Sequence, residues 1–110
     1  MACDSQQKAT VEKLEKEAFS EAVIDKDVQL IDVRTASEYE AGHIGNAINY
    51  DIIDGDTFLK QIATLNKEEP VYLYCKMGGR SSRAAELLKK EGFTKIYDYS
   101  GGYNDWSSNE

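Results

Sequence analysis

The chain has 110 residues, with 13 Lys and Arg against 20 Asp and Glu, giving a net charge of −7. That charge repels nucleic acid and anionic membrane surfaces, so neither is expected as a partner. With one histidine and two widely separated cysteines there is no metal-ligand cluster of recognisable spacing, and no metal or cofactor is expected.

The first residues, Met1-Ala2-Cys3-Asp4-Ser5-Gln6-Gln7, admit two readings. One is an ordinary polar tail, flexible over residues 1–9. The other is the end of a bacterial lipoprotein signal, in which a small residue precedes a lipid-bearing cysteine and a polar tether, with Met1 added for expression. The first is compatible with the bacterial cytoplasm; the second makes Cys3 a lipid anchor in the periplasm. A single domain over residues 10–108 and a monomer are expected in either case.

A weak strand over 10–14 is followed by a helix over 15–24, with Phe19, Val23 and Ile24 on one face. A strand over 28–33 ends at Arg34. Thr35 or Ser37 offers an N-cap hydroxyl for a short helix stopped by Gly42. A short strand over 47–50 precedes a helix capped by Asp56, carrying Phe58, Leu59, Ile62 and Leu65 at helical spacing. Pro70 opens a strand over 71–74, a helix follows over 83–91, and the last strand covers 94–99. Gly101-Gly102 leads into a terminal turn containing Trp106. Strands and helices alternating at this spacing predict an α/β fold of three layers. A mostly parallel sheet of about five strands would be covered by helices on both faces. Ligands of such sheets bind outside the carboxyl ends of the strands, and Arg34 and Cys75 both belong to that rim.

The most informative stretch is Val71-Tyr72-Leu73-Tyr74-Cys75-Lys76-Met77-Gly78-Gly79-Arg80-Ser81-Ser82. It places a thiol at the end of an apolar strand, facing the start of a helix. Backbone N–H groups and the positive helix end favour negative charge there, and so favour the nucleophilic thiolate. The bland reading is a buried structural cysteine, but such cysteines seldom precede a glycine-rich cationic loop. Gly78 and Gly79 let the backbone curl around a single anionic atom. Lys76 and Arg80 supply positive charge for an anionic substrate, although Arg80 serves equally well as a loop brace paired with an acidic neighbour. Met77 lines the pocket wall.

Four segments, Asp32-Val33-Arg34 with Glu38-Tyr39, Gly42-His43-Ile44 with Asn46 to Asn49, the Cys75 loop, and Gly101-Gly102 before Trp106, together resemble the rhodanese homology domain of single-domain sulfurtransferases. The resemblance runs from about Thr10 to Trp106. It implies a Cys75 persulfide that takes sulfane sulfur from an anionic donor such as thiosulfate and gives it to cyanide or a thiol. It implies a structural role for Asp32, Arg34, Glu38 and His43, with Arg34 retained as a substrate contact because it shares the rim. The spacing from Cys75 to Arg80 is Cys-x4-Arg; related phosphatases and arsenate reductases have one residue more, so the shorter, sulfur-transferring type is the better match. A non-enzymatic binding module of the same fold is the other rival, disfavoured because the cysteine is present.

Overall fold

The computed structural model describes residues 9–108, so the expectations for Cys3 and the amino-terminal tail lie outside the described residues. Five strands form one sheet: β1 (Thr10–Leu14), β2 (Gln29–Asp32), β3 (Ile48–Asn49), β4 (Val71–Tyr74) and β5 (Lys95–Tyr99). Their order is β1-β5-β4-β2-β3, and every paired neighbour runs parallel. Five helices connect or follow them: α1 (Lys16–Val23), α2 (Ala36–Ala41), α3 (Gly55–Ile62), α4 (Gly79–Lys90) and α5 (Gly102–Ser107). The expected three-layer α/β fold is present, with a fully parallel sheet.

Strand periodicity decides which helices cover which face, because successive side chains point to opposite sides. On β2 and β4, Ile31 and Leu73 join one cluster with Phe58 and Ile62 of α3 and Ala84, Ala85 and Leu88 of α4. Leu30 and Tyr74 point the other way and pack with Phe19 and Val23 of α1, Ile44, and Tyr99 of β5. Both faces are apolar, as parallel sheets require. Cys75 follows Tyr74 and falls in the α3–α4 cluster. Asp32 and Tyr74 are paired across β2 and β4, so the chain leaves both strands at one rim.

The helix starts differ from the sequence expectations at two places. Asp54, not Asp56, caps α3: its carboxylate accepts from the Thr57 N–H at 3.4 Å, and Leu65 lies past the helix end. More consequentially, α4 begins at Gly79 rather than at 83. Gly78 holds φ +107°, a left-handed conformation that turns the chain directly from strand end into helix. Arg80 and Ser81 therefore belong to the first turn of α4 and not to a free loop. The turn around Trp106 is also helical, as α5.

Candidate active site

Cys75 stands one residue beyond β4, the central strand of the sheet, and is only 1 % exposed. The Gly78 N–H donates to its Sγ at 3.0 Å, and the Ser81 hydroxyl lies 3.6 Å from the same sulfur. Only Gly78, of the two glycines, takes the left-handed turn; Gly79 is the first residue of α4. The sulfur thus faces the amino end of a 12-residue helix, where unpaired N–H groups and the helix dipole both favour an anion. Two close approaches hold this strand end in place. Gly102 lies so near the Cys75 and Lys76 carbonyls that any β-carbon would collide with them. The Tyr103 and Asn104 N–H groups then donate to those carbonyls at 2.8 and 3.0 Å, fastening α5 to the active loop.

Arg34 is buried at the neighbouring strand end. Its guanidinium donates to both Asp32 oxygens, with Nη2 at 2.6 Å from Oδ2, and Nη2 also donates to the Gly42 carbonyl at 2.7 Å. The Tyr74 hydroxyl donates to Asp32 at 2.8 Å and accepts from the Ile44 N–H at 2.9 Å. Burial alone would lower the Arg34 pKa, but the hydrogen bond and charge of Asp32 outweigh it and raise the net value. Burial likewise pushes the Tyr74 phenol far up, with the Asp32 charge adding to it. The Tyr103 ring stacks on Arg34, 4.4 Å from ring centre to guanidinium carbon.

Arg80 extends from the first turn of α4 to Glu38 of α2, in a bidentate pair at 2.8 and 3.0 Å. Thr35 accepts from the Glu38 N–H while Glu38 accepts from the Thr35 N–H, a capping box that fixes the carboxylate's position. The Arg80 hydrogen bond is the main reason the Glu38 carboxyl falls to about 2. Lys76 is exposed and lines a cleft of about 220 Å³ with Arg34, Glu38, Ala41 and Tyr103. Met77 is 69 % exposed, at the outside of the loop. His43 stacks on Tyr39 at 4.0 Å, and its Nδ1 lies 3.1 Å from the Tyr39 carbonyl oxygen.

Arg34, Lys76 and the Cys75–Arg80 turn therefore share one rim; Arg34 and Lys76 line the small cleft there, while Arg80 turns to Glu38. Two buried polar residues on this face of the sheet were not singled out in the sequence as site residues: Ser81, whose hydroxyl is 3.6 Å from the sulfur, and Asp98 of β5. Asp98 is charged yet shares a strand face with Ile96, and that was the available signal. Among the described residues no group of three or more His, Cys, Asp and Glu side chains is placed to hold a metal ion.

A parallel α/β sheet that presents a cysteine beyond its central strand, against a helix start, defines a thiol-bearing domain class. A family model described as "Rhodanese-like domain" matches residues 15–109, and the chain belongs to that family. An uncharacterised protein YqhL of Bacillus subtilis is 43 % identical over 81 residues, which cover 74 % of this chain and 62 % of that one. The thiosulfate sulfurtransferase GlpE of Coxiella burnetii is 32 % identical over 88 residues, covering 80 % of this chain and 79 % of that one. The crystal structure of a rhodanese-like domain protein from Staphylococcus aureus matches with a TM-score of 0.74 at 29 % identity, covering 87 % and 91 % of the two chains. The chain spans less than two thirds of the length of several curated relatives it matches.

Proposed function

We propose that this chain is a sulfurtransferase that carries sulfane sulfur as a Cys75 persulfide. The observation that carries the reading is the Cys75 sulfur held at the start of α4 with the Gly78 N–H on it at 3.0 Å. The similarity to a thiosulfate sulfurtransferase supports it. In the first half-reaction the Cys75 thiolate attacks the outer sulfur of thiosulfate. The new bond is Cys75 Sγ–S; the donor's S–S bond breaks and its electron pair leaves with sulfite. The outer sulfur of the persulfide then carries the negative charge, close to the N–H groups of the turn and the first turn of α4. In the second half-reaction cyanide or a thiolate attacks that outer sulfur, and the electron pair returns to Cys75. No general base is needed at the transfer step itself once the thiolate exists, consistent with His43 standing against Tyr39.

Lys76 and Arg34, both lining the cleft, are the groups that meet an anionic donor. Arg80 is assigned to bracing: both of its terminal nitrogens are taken by Glu38, so it acts on the site by fixing the first turn of α4. The reaction is tested by incubating the protein with thiosulfate and mapping mass at peptide level. One added sulfur atom on Cys75, removed by cyanide with release of thiocyanate, is expected. A Cys75→Ser protein that still produces thiocyanate at a comparable rate would refute the proposal.

A further inference from the structure

The buried thiol raises a question that the transfer mechanism leaves open: where its proton goes. Cys75 is 1 % exposed. On the same face of the sheet, β5 carries Asp98, itself 1 % exposed, with neither carboxylate oxygen hydrogen-bonded. A buried carboxylate without a partner is costly and rare. Register explains where it points. Asp98 lies opposite Leu73 of β4 and Lys13 of β1, so it shares a face with Leu73 and, two residues on, with Cys75. Ser81, wholly buried in the first turn of α4, has its hydroxyl 3.6 Å from the Cys75 sulfur; it makes no hydrogen bond to Asp98 in the resting geometry, yet it is close enough to draw the Asp98 carboxyl down.

We propose that Asp98 is the acceptor of the Cys75 proton, which reaches it through the Ser81 hydroxyl. Cys75 S–H gives its proton to Ser81 Oγ as the Ser81 O–H gives its own to an Asp98 oxygen. The serine is unchanged, the thiol becomes a thiolate, and the carboxylate becomes a neutral carboxylic acid. In the resting arrangement the Ser81 hydroxyl donates to the Gly78 carbonyl over a long 3.3 Å, a bond it can exchange by rotating. Burial raises the Asp98 pKa, while two groups, Ser81 of α4 and Lys13 of β1, pull the other way, and the net shift is upward. A raised carboxyl is the better proton acceptor for a thiol. Charge placement also improves, since the negative charge moves from an unpartnered carboxylate to a sulfur that already has the Gly78 N–H and the α4 start.

The proposal rests on Cys75 being the nucleophile, and its test separates the two. Alkylation of Cys75 by iodoacetamide is followed against pH at peptide level in the wild type, Asp98→Asn, Ser81→Ala and the double variant. The relay predicts that each single variant slows alkylation about tenfold near neutral pH, that the gap closes at alkaline pH, and that the double variant is no slower than the slower single. A carboxylate acting only through its charge would oppose the thiolate, so its removal would speed alkylation; that result, or an unchanged rate, overturns the relay. An Asp98→Asn effect that persists in full in the Ser81→Ala background does so too. If Asp98→Asn fails to fold, Ser81→Ala decides alone by the same criterion. Failure of thiosulfate to add sulfur to Cys75 in the wild type would overturn the sulfurtransferase reading, while the alkylation series would still report on the relay.

Discussion

The two faces of the sheet each bury one aspartate near the active rim, and they treat it in opposite ways. On the α2 side, Asp32 takes hydrogen bonds from Arg34 and from the Tyr74 hydroxyl, and its oxygens are fully engaged. On the α4 side, Asp98 is equally buried and has no hydrogen-bond partner on either oxygen. A completed buried network rigidifies a structure; an incomplete one is costly and calls for a reason. Asp32 holds the ends of β2 and β4 at a fixed separation and anchors Arg34 beneath the cleft. Asp98 shares its face of the sheet with Leu73 and Cys75, and a completed network there would leave no capacity to take up a proton. The first face builds the rim and the second face serves the thiol.

The largest expected effect comes from breaking the satisfied side. Asp32→Asn leaves the Arg34 guanidinium buried beside a neutral amide and weakens the bond to Tyr74. Removing one partner of a buried pair costs about 3–5 kcal/mol, enough to lower the melting temperature by well over ten degrees in a chain of this size. Calorimetry at neutral pH reads this directly, and a loss below about 1 kcal/mol would mean the network is not the brace described here. The opposite side should answer with the opposite sign. Asp98→Asn removes a carboxylate that burial disfavours, and about 1 kcal/mol or more of stability at neutral pH should be gained. Because the folded-state pKa of Asp98 is raised, its neutral form contributes fully at low pH, and that contribution fades as pH rises through the folded value. The stability advantage of Asp98→Asn over wild type should therefore grow with pH. A variant that gains stability while its thiol reacts more slowly would mark Asp98 as a residue kept for chemistry at the expense of the fold.

The difference between the faces also decides what could be seen in the sequence. The parallel architecture was legible because the apolar runs of β2 and β4, each flanked by helix-period segments, admit little else. Thr35 was one of two named candidates for the α2 N-cap, and the structure selects it through the Glu38 capping box. The start of α4 was not legible. Gly78 and Gly79 are poor helix formers, and only the left-handed turn at Gly78, with the Ser100 carbonyl 2.8 Å from where a β-carbon would stand, lets the helix begin at Gly79. The Asp54 cap was hidden by Asp56 two residues on, which offers the same chemistry at the wrong place. Ser81 and Asp98 were missed because their relation is three-dimensional: 17 positions separate them in the chain, and only the β4–β5 register brings β5 beneath the first turn of α4.

The smallest expected effect concerns the link between the faces, the pair of Glu38 on α2 and Arg80 on α4. Its side chains are 28 % and 26 % exposed, so solvent screens the attraction, and Glu38→Gln should cost only about 1 kcal/mol at neutral pH. The dependence on pH is more telling than the size. The Glu38 carboxyl falls from 4.5 to about 2 on folding, chiefly through Arg80. A depressed carboxylate contributes its stability above its unfolded value, and that contribution is lost as pH falls from about 4.5 through about 2. Wild type and Glu38→Gln should therefore differ in stability at pH 7 and converge in that acid window, as followed by urea titrations at successive pH values. Because Arg80 holds the first turn of α4, the same substitution should also loosen the Gly78 N–H on the Cys75 sulfur and slow thiocyanate formation by a few-fold. A variant with lower stability and an unchanged rate would confine the pair to bracing α2 against α4, and would leave the position of the sulfur to the strand end and to Gly102 alone.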